Sequence, residues 1–180
     1  MADSRNAANV TLNGVRVGAD ALVGQLGQGA DVLDQTLDIA RIGLASEMLG
    51  SLQECFERTV EYLKEREQFG VPIGSFQALK HRAADMFCEV ELSKSCVLEA
   101  LTALDEGRDA TEVATLASLT KTKVGETFHQ VSREGIQKHG GIGMTDEFDI
   151  GFFIKRAAVT EQTLGDVNFH RNRYGELEGY

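Results

Sequence analysis

The chain has 180 residues, enough for one domain with its own core, and it carries a formal net charge of −10. This acidic balance argues against a nucleic-acid partner, because phosphate binding needs a clustered basic face. Three cysteines without a disulfide pattern indicate a reducing, cytoplasmic setting, and no apolar run reaches the roughly 18 residues of a membrane span, so no membrane partner is expected.

The first predicted element is a short strand or hairpin at residues 10–17. Branched apolar residues alternate on both sides of Asn13-Gly14, a pair typical of two-residue hairpin turns. An isolated strand or hairpin is marginally stable in water, so we expect this segment to fray or to pair with another chain.

Three long helices should follow, because apolar residues recur at helical spacing over three stretches and Pro72 is the only proline. The first should cover residues 30–68, roughly 55 Å at 1.5 Å per residue. Such a helix is longer than a small bundle can cover, which predicts a partner. The apolar stripe of the third helix is weak at residues 120–124, so we expect this stretch to contribute surface to a subunit contact.

Local signals mark the later helix ends. Gly107 should end the second helix, Asp109 should cap the third, and Gly140-Gly141 should end it. A fourth, shorter helix should begin near Glu147. Four amphipathic helices bury their apolar faces most economically side by side, so the predicted fold is an all-α, four-helix up-down bundle with a short N-terminal β-segment.

Two glycine-containing segments interrupt the helical pattern. Residues 66–77 read Arg-Glu-Gln-Phe-Gly-Val-Pro-Ile-Gly-Ser-Phe-Gln, and residues 137–149 read Gln-Lys-His-Gly-Gly-Ile-Gly-Met-Thr-Asp-Glu-Phe-Asp. The second follows a predicted helix rather than a strand, so it does not open a dinucleotide-binding βαβ unit. By themselves, Arg66 is a cation at a helix end and Gly140-Gly141 is a helix cap.

Together with the surrounding helices, these segments resemble the C-terminal half of the acyl-CoA dehydrogenase family. That family carries an Arg-x-x-Phe-Gly…Phe-Gln stretch and a later Gln-x-x-Gly-Gly-x-Gly turn. The resemblance implies a C-terminal helical bundle domain at residues 28–180 and the tail of a middle β-domain at residues 1–27. A complete member has further domains before this part, so the resemblance implies either a fragment or a naturally split subunit.

The resemblance also implies an FAD cofactor. The family's matching arginine reaches the flavin pyrophosphate, which makes Arg66 a candidate phosphate ligand with Phe69 and Gln77 beside it. The family's Gly-Gly turn lies against the ADP portion of FAD in the neighbouring subunit, which implies at least a dimer. The candidate contacts of that turn are Gln137, Gly140 and Gly141.

The remaining polar residues include one candidate pair for substrate contact and four histidines. Asp38 and Arg41, three residues apart on the first helix, suit a surface ion pair, but they match a family Asp-x-x-Arg beside the CoA thioester, which implies acyl-CoA contact. No metal site is expected, because the histidines lack metal-ligand spacing with the cysteines. The histidines interpreted as structural or solvent-facing are His81, His129, His139 and His170.

The family's catalytic base is missing from both of its usual positions. In most members it is the glutamate of a Tyr-Glu-Gly-Thr segment, where this chain has Leu164, and in others it precedes the arginine of Asp-x-x-Arg, where this chain has Ala40. Glu161 and Asp166 are the nearest carboxylates, but a shift of two residues turns a helical side chain to another face. Asp166 also suits a helix cap.

Three functions follow as hypotheses. The first is the FAD-binding and oligomerisation domain of an acyl-CoA dehydrogenase-like subunit without its own base, acting as a homo-oligomer or beside a related, complete subunit. The second is an active dehydrogenase that uses Asp166 or another carboxylate. The third is a helical interaction module that holds no flavin.

Overall fold

The computed structural model describes residues 6–180, and its regular structure is almost entirely helical. The helices are α1 (Gly29–Glu65), α2 (Gln77–Asp105), α3 (Ala110–His139), α4 (Gly151–Gln162) and α5 (Val167–Glu178). Strands β1 (Glu67–Gln68) and β2 (Val71–Pro72) form a two-stranded antiparallel sheet. Short 3-10 turns lie at Ala19–Ala21, Ile73–Ser75 and Gly140–Met144.

Helix α3 is the centre of the bundle, since α1, α2, α4 and α5 all pack against it. The all-α bundle is therefore confirmed. The structure differs in one detail, because the two short helices α4 and α5 lie where a single fourth helix was expected. The fourth helix begins at Gly151 rather than near Glu147.

The main hydrophobic core lies between the three long helices. Burial of each large apolar side chain there contributes about 1.5–3 kcal/mol. Its fully buried members include Met48, Leu52, Met86, Val124, Phe128, Val131 and Ile150.

The stretch at residues 120–124 of α3 is covered within the chain, so the prediction that it contributes to a subunit contact was wrong. Thr120 and Val124 are fully buried, and the Thr120 hydroxyl donates to the carbonyl of Cys96 on α2 at 3.2 Å. Lys121 is 1% exposed and donates to carbonyls of α4. The apolar stripe looks weak in the sequence because it contains polar residues. Inside the bundle the side chains of Thr120 and Lys121 form hydrogen bonds, so they can be buried.

The predicted N-terminal strand or hairpin is not formed. Residues 10–17 have no strand partner, and Val10, Leu12, Val15 and Val17 are each more than 60% exposed. A strand without neighbours leaves its backbone groups to water, which explains why this segment takes no regular structure in the chain alone. Residues 1–5 of the predicted β-domain tail lie outside the described residues.

The predicted helix ends were mostly right. Asp109 caps α3, because its Oδ1 accepts from the N–H groups of Thr111 at 2.9 Å and Glu112 at 3.2 Å. Gly140 follows α3 with φ +65°. Helix α1 ends at Glu65 rather than at residue 68, because the next residues turn into the β1–β2 hairpin.

Candidate functional site

A cleft of about 450 Å³ lies where the C-terminal ends of α1 and α3 meet the β1–β2 hairpin. Its lining includes Tyr62, Arg66 and Gln68 on one side and the turn after α3 on the other. The structure therefore brings together Arg66 and the Gly140-Gly141 turn, which are far apart in the sequence.

The backbone of Arg66 is held on both sides. Its N–H donates to the carbonyl of Tyr62 at 2.9 Å, and its carbonyl accepts from the N–H of Ile73 at 2.7 Å. The residue is exposed, and within residues 6–180 its guanidinium forms no ion pair. A fixed backbone with an unpaired cation suits the capture of an anion.

Aromatic rings form one wall of the cleft. The rings of Tyr62 and His139 stack with centroids 4.2 Å apart, and Phe148 lies 5.1 Å from His139. The Nδ1 of His139 lies 2.7 Å from the carbonyl of Gly135 and so donates to it. Burial lowers the pKa of His139, which favours the neutral imidazole. These contacts support the structural interpretation of this histidine.

The remaining predicted cofactor contacts lie outside the lining of the cleft. Phe69 is 93% exposed at the tip of the hairpin with φ +57°, a left-handed conformation that costs a non-glycine residue roughly 1–2 kcal/mol. An exposed, strained aromatic residue is a functional candidate. Gln77 is exposed as the first residue of α2. Gln137 lines a separate groove of about 700 Å³ that also contains Arg133.

Asp38 and Arg41 form a buried ionic network rather than a surface pair. Arg41 Nη1 lies 2.8 Å from Asp38 Oδ1, and Arg173 of α5 reaches both carboxylate oxygens at 2.7 and 2.8 Å. The Asp38 side chain is 5% exposed. No sequence pattern indicated Arg173, because its pairing with α1 depends on the docking of α5.

Residue 164, in the α4–α5 loop, has a left-handed backbone. Leu164 has φ +62°, and its carbonyl accepts from Arg41 Nε at 3.2 Å and from His170 Nε2 at 3.1 Å. Asp166 Oδ1 accepts from the N–H of Phe169 at 2.8 Å, which confirms the interpretation of Asp166 as the cap of the last helix. Glu161 Oε2 lies 3.4 Å from His129 Nδ1.

His170 is fully buried, and its partners fix its tautomer. Nε2 donates to the Leu164 carbonyl, so Nδ1 accepts from the hydroxyl of Ser118 at 3.4 Å, and Ser118 Oγ in turn accepts from Arg173 Nη1 at 3.0 Å. Burial, together with the charges of Lys121, Arg41 and Arg173, lowers the pKa of His170 to about 4, although the hydrogen bond to the Leu164 carbonyl raises it.

Acid should therefore destabilise the bundle through His170. Its pKa is about 4 in the fold and 6.5 ordinarily, so between these values the unfolded chain binds more protons. The free energy of unfolding should fall by about 3 kcal/mol from this group as the pH drops from 6.5 to 4. Urea titrations at several pH values measure this. His170→Gln should flatten the slope.

Sequence reasoning missed the buried amine of Lys121. It lies beneath the α4–α5 loop and donates to three main-chain carbonyls. The sequence signal that could have found it is the position of a lysine inside the apolar stretch of α3. A lysine is more often exposed to solvent, so this position does not by itself predict burial.

Among residues 6–180, no three or more histidine, cysteine or acidic side chains cluster closely enough to hold a metal ion. None of the helices described is long and apolar enough to cross a membrane.

The chain is similar to known proteins over most of its length. The family model "Acyl-CoA dehydrogenase, C-terminal domain" matches residues 27–177. The acyl-CoA dehydrogenase IpdE2 of Mycolicibacterium smegmatis is 41% identical over 73% of this chain and 40% of that protein. The caffeyl-CoA reductase-Etf complex subunit CarC of Acetobacterium woodii is 31% identical over 79% of this chain and 37% of that subunit.

A solved structure shows the same fold. The butyryl-CoA dehydrogenase of Megasphaera elsdenii superposes with a TM-score of 0.85 at 29% identity, over 91% of this chain and 42% of that one. The chain thus spans about two fifths of the length of these relatives.

Proposed function

The chain belongs to the acyl-CoA dehydrogenase family of flavin oxidoreductases, and from this premise we propose that it is the FAD-binding and oligomerisation part of a subunit that lacks its own general base. The whole assembly would catalyse α,β-dehydrogenation of acyl-CoA thioesters. Residues 28–180 would be the C-terminal helical domain, and residues 1–27 the tail of a middle β-domain. The observation that carries the proposal is the cleft that joins Arg66 to Gly140-Gly141.

The chemistry of this cleft fits the ADP half of FAD. The guanidinium of Arg66 suits the pyrophosphate oxygens, because its donors form a planar fork. The cleft lies at the C-terminal ends of α1 and α3, where main-chain carbonyls suit ribose hydroxyls and the adenine amino group. A Cβ added at Gly140 or Gly141 would meet nothing within 4 Å, so the backbone there is open to close approach.

The exposed position of Phe69 and Gln77 supports a cofactor shared between two subunits. A β-domain of another subunit would cover the flavin ring while this chain holds the ADP end, with Phe69 and Gln77 beside it. FAD, when bound, supplies the acceptor for the hydride that leaves the β-carbon of the thioester. The partner is either a second copy, in a dimer or tetramer, or a related subunit.

The missing base favours a subunit that depends on a related partner for the proton step. Abstraction of the α-proton needs a carboxylate over the acyl chain, and Leu164 cannot accept a proton. Asp166 is not proposed as the base, because its Oδ1 caps α5. The name of the relative CarC describes a subunit of a complex, which agrees with heteromeric assembly. Contact of Asp38 or Arg41 with acyl-CoA stays a prediction.

Flavin absorbance tests the proposal directly. The full-length protein in its natural assembly should contain FAD, whereas this chain alone should be colourless, because one set of contacts does not supply tight binding. A full-length assembly that purifies without flavin and binds none on reconstitution would support the helical interaction module instead.

Arg66→Ala should weaken FAD binding by the full-length assembly. The change removes a charge-assisted contact worth about 1.5–3 kcal/mol, which corresponds to an increase in Kd of roughly 10- to 150-fold. Lys64→Ala is the matched control, since Lys64 is an exposed cation of the same helix end that pairs with Glu61. Fluorescence titration of the apoprotein measures both, and equal affinities for the two variants would return Arg66 to the role of a helix-end cation.

A further inference from the structure

A lysine of α3 holds the main chain of the α4–α5 loop. The Nζ of Lys121 lies 2.9 Å from the carbonyl of Thr160, 3.0 Å from that of Glu161 and 3.1 Å from that of Gly165. An ammonium group has three donors, so all three are used on main-chain acceptors. Lys121 therefore donates hydrogen bonds to carbonyls in the last turn of α4 and, with the same amine, to a carbonyl of the loop that follows.

The backbone of this loop is strained and tightly packed. Leu164 has φ +62° and Gly165 has φ +108°. A Cβ at residue 165 would lie 2.4 Å from the ring of Phe169, so only glycine fits there. A left-handed leucine costs roughly 1–2 kcal/mol and persists only where the surroundings determine it.

Side chains from three helices fix the two carbonyls of this loop. Arg41 from α1 and His170 from α5 donate to the carbonyl of Leu164, and Lys121 from α3 donates to that of Gly165. Of the three, Lys121 is the one that also binds the end of α4. It therefore sets the distance between the helix end and the strained residue.

We propose that Lys121 is a positioning residue that fixes the left-handed backbone at Leu164 and so sets the direction in which the side chain at position 164 leaves the loop. It acts through the main chain of residues 160–165. Its meaning for catalysis rests on the proposed function, in which position 164 corresponds to the family's base. The backbone arrangement itself needs neither FAD nor turnover.

The number of hydrogen bonds that Lys121 can donate depends on pH, because its amine can lose a proton. Burial lowers its pKa to about 8, while Glu161 and Asp166 raise it and Arg41 lowers it. His170 of α5, held neutral above about pH 4, also lies in this cluster. A neutral amine has only two donors, so one of the three carbonyls loses its partner as the pH rises above about 8. An arginine at this position would stay charged.

Nuclear magnetic resonance of the isotope-labelled 180-residue chain tests the proposal without any flavin. The carbonyl ¹³C shifts of Thr160, Glu161 and Gly165 should move together with a midpoint near pH 8 in the native chain and stay constant in Lys121→Arg. At pH 7 the Cα and Cβ shifts and the amide coupling of residue 164 should show the left-handed conformation. Lys121→Met should lose this signature, and Lys121→Arg should retain it.

A second buried lysine of α3 provides the matched control. The side chain of Lys138 is 0% exposed and pairs with Glu134 away from the loop. Lys138→Met should lower stability but keep the left-handed signature at residue 164. The proposal is overturned if folded Lys121→Met keeps that signature. These outcomes are separate from flavin content, which tests the proposed function.

Discussion

Leu164→Glu in the full-length, flavin-loaded protein is expected to create or raise acyl-CoA dehydrogenation by about 10²- to 10⁴-fold, the usual contribution of a positioned base. The new carboxylate would leave a backbone already held by Arg41 and His170, so it should take the direction of the leucine. Anaerobic bleaching of flavin absorbance on addition of an acyl-CoA thioester measures the gain.

Two variants make this result specific. Leu164→Gln has nearly the shape of the glutamate but no basic carboxylate, so it should show no more activity than the native chain. Asp166→Asn should change little, since the amide oxygen can still accept from the N–H of Phe169. Native turnover that disappears in Asp166→Asn, with flavin and fold retained, would identify Asp166 as the base and contradict the proposal.

Asp38→Ala should lower the free energy of unfolding by about 3–5 kcal/mol, the range for breaking a buried ion pair from one side. Asp38 is the carboxylate between Arg41 and Arg173, and the three side chains are between 5% and 18% exposed. Its removal leaves two guanidinium groups in a poorly hydrated site without their counter-charge. Denaturant unfolding followed by circular dichroism measures the loss.

Glu61→Ala is the control for this effect. Glu61 pairs with Lys64 on the same helix, but the two side chains are 61% and 65% exposed. Exposed pairs of this kind contribute about 0–1 kcal/mol, so the variant should unfold almost like the native chain. A similar small loss for Asp38→Ala would show that α5 is held by its apolar contacts and not by the network.

The helices and their main boundaries could be predicted because their causes are local. Asp109 caps α3 through N–H groups two and three residues away, and Gly140 ends it by taking a positive φ. The apolar spacing of α1, α2 and α3 repeats within each helix. Where the sequence prediction failed, the cause was contact with residues that are far away along the chain. Residues 120–124 look weakly apolar along the chain, but α2 and α4 cover them.

The candidate site divides in the same way. The sequence identified Arg66 and Gly140-Gly141 as candidates from their motifs. Only the tertiary structure shows that Phe69 is exposed and that Gln137 does not line the cleft. Arg173 had no sequence signal as a site residue, and the signal for Lys121, its place inside the apolar stretch of α3, did not indicate its partners. Their partners are carbonyls and a carboxylate far away along the chain, and a sequence pattern does not report the acceptor that a buried cation will meet.

The sequence by itself determined the helical class and the family, and it supplied the proposal that Leu164 and Ala40 occupy the two base positions. These depend on residue identity, helical periodicity and short motifs. The tertiary structure decided that Asp38 and Arg41 are buried, that Asp166 is bound to the start of α5, and that Leu164 is held in a left-handed conformation. Each of these arises when separate helices dock, because only docking removes water from a charge and brings distant donors to one carbonyl.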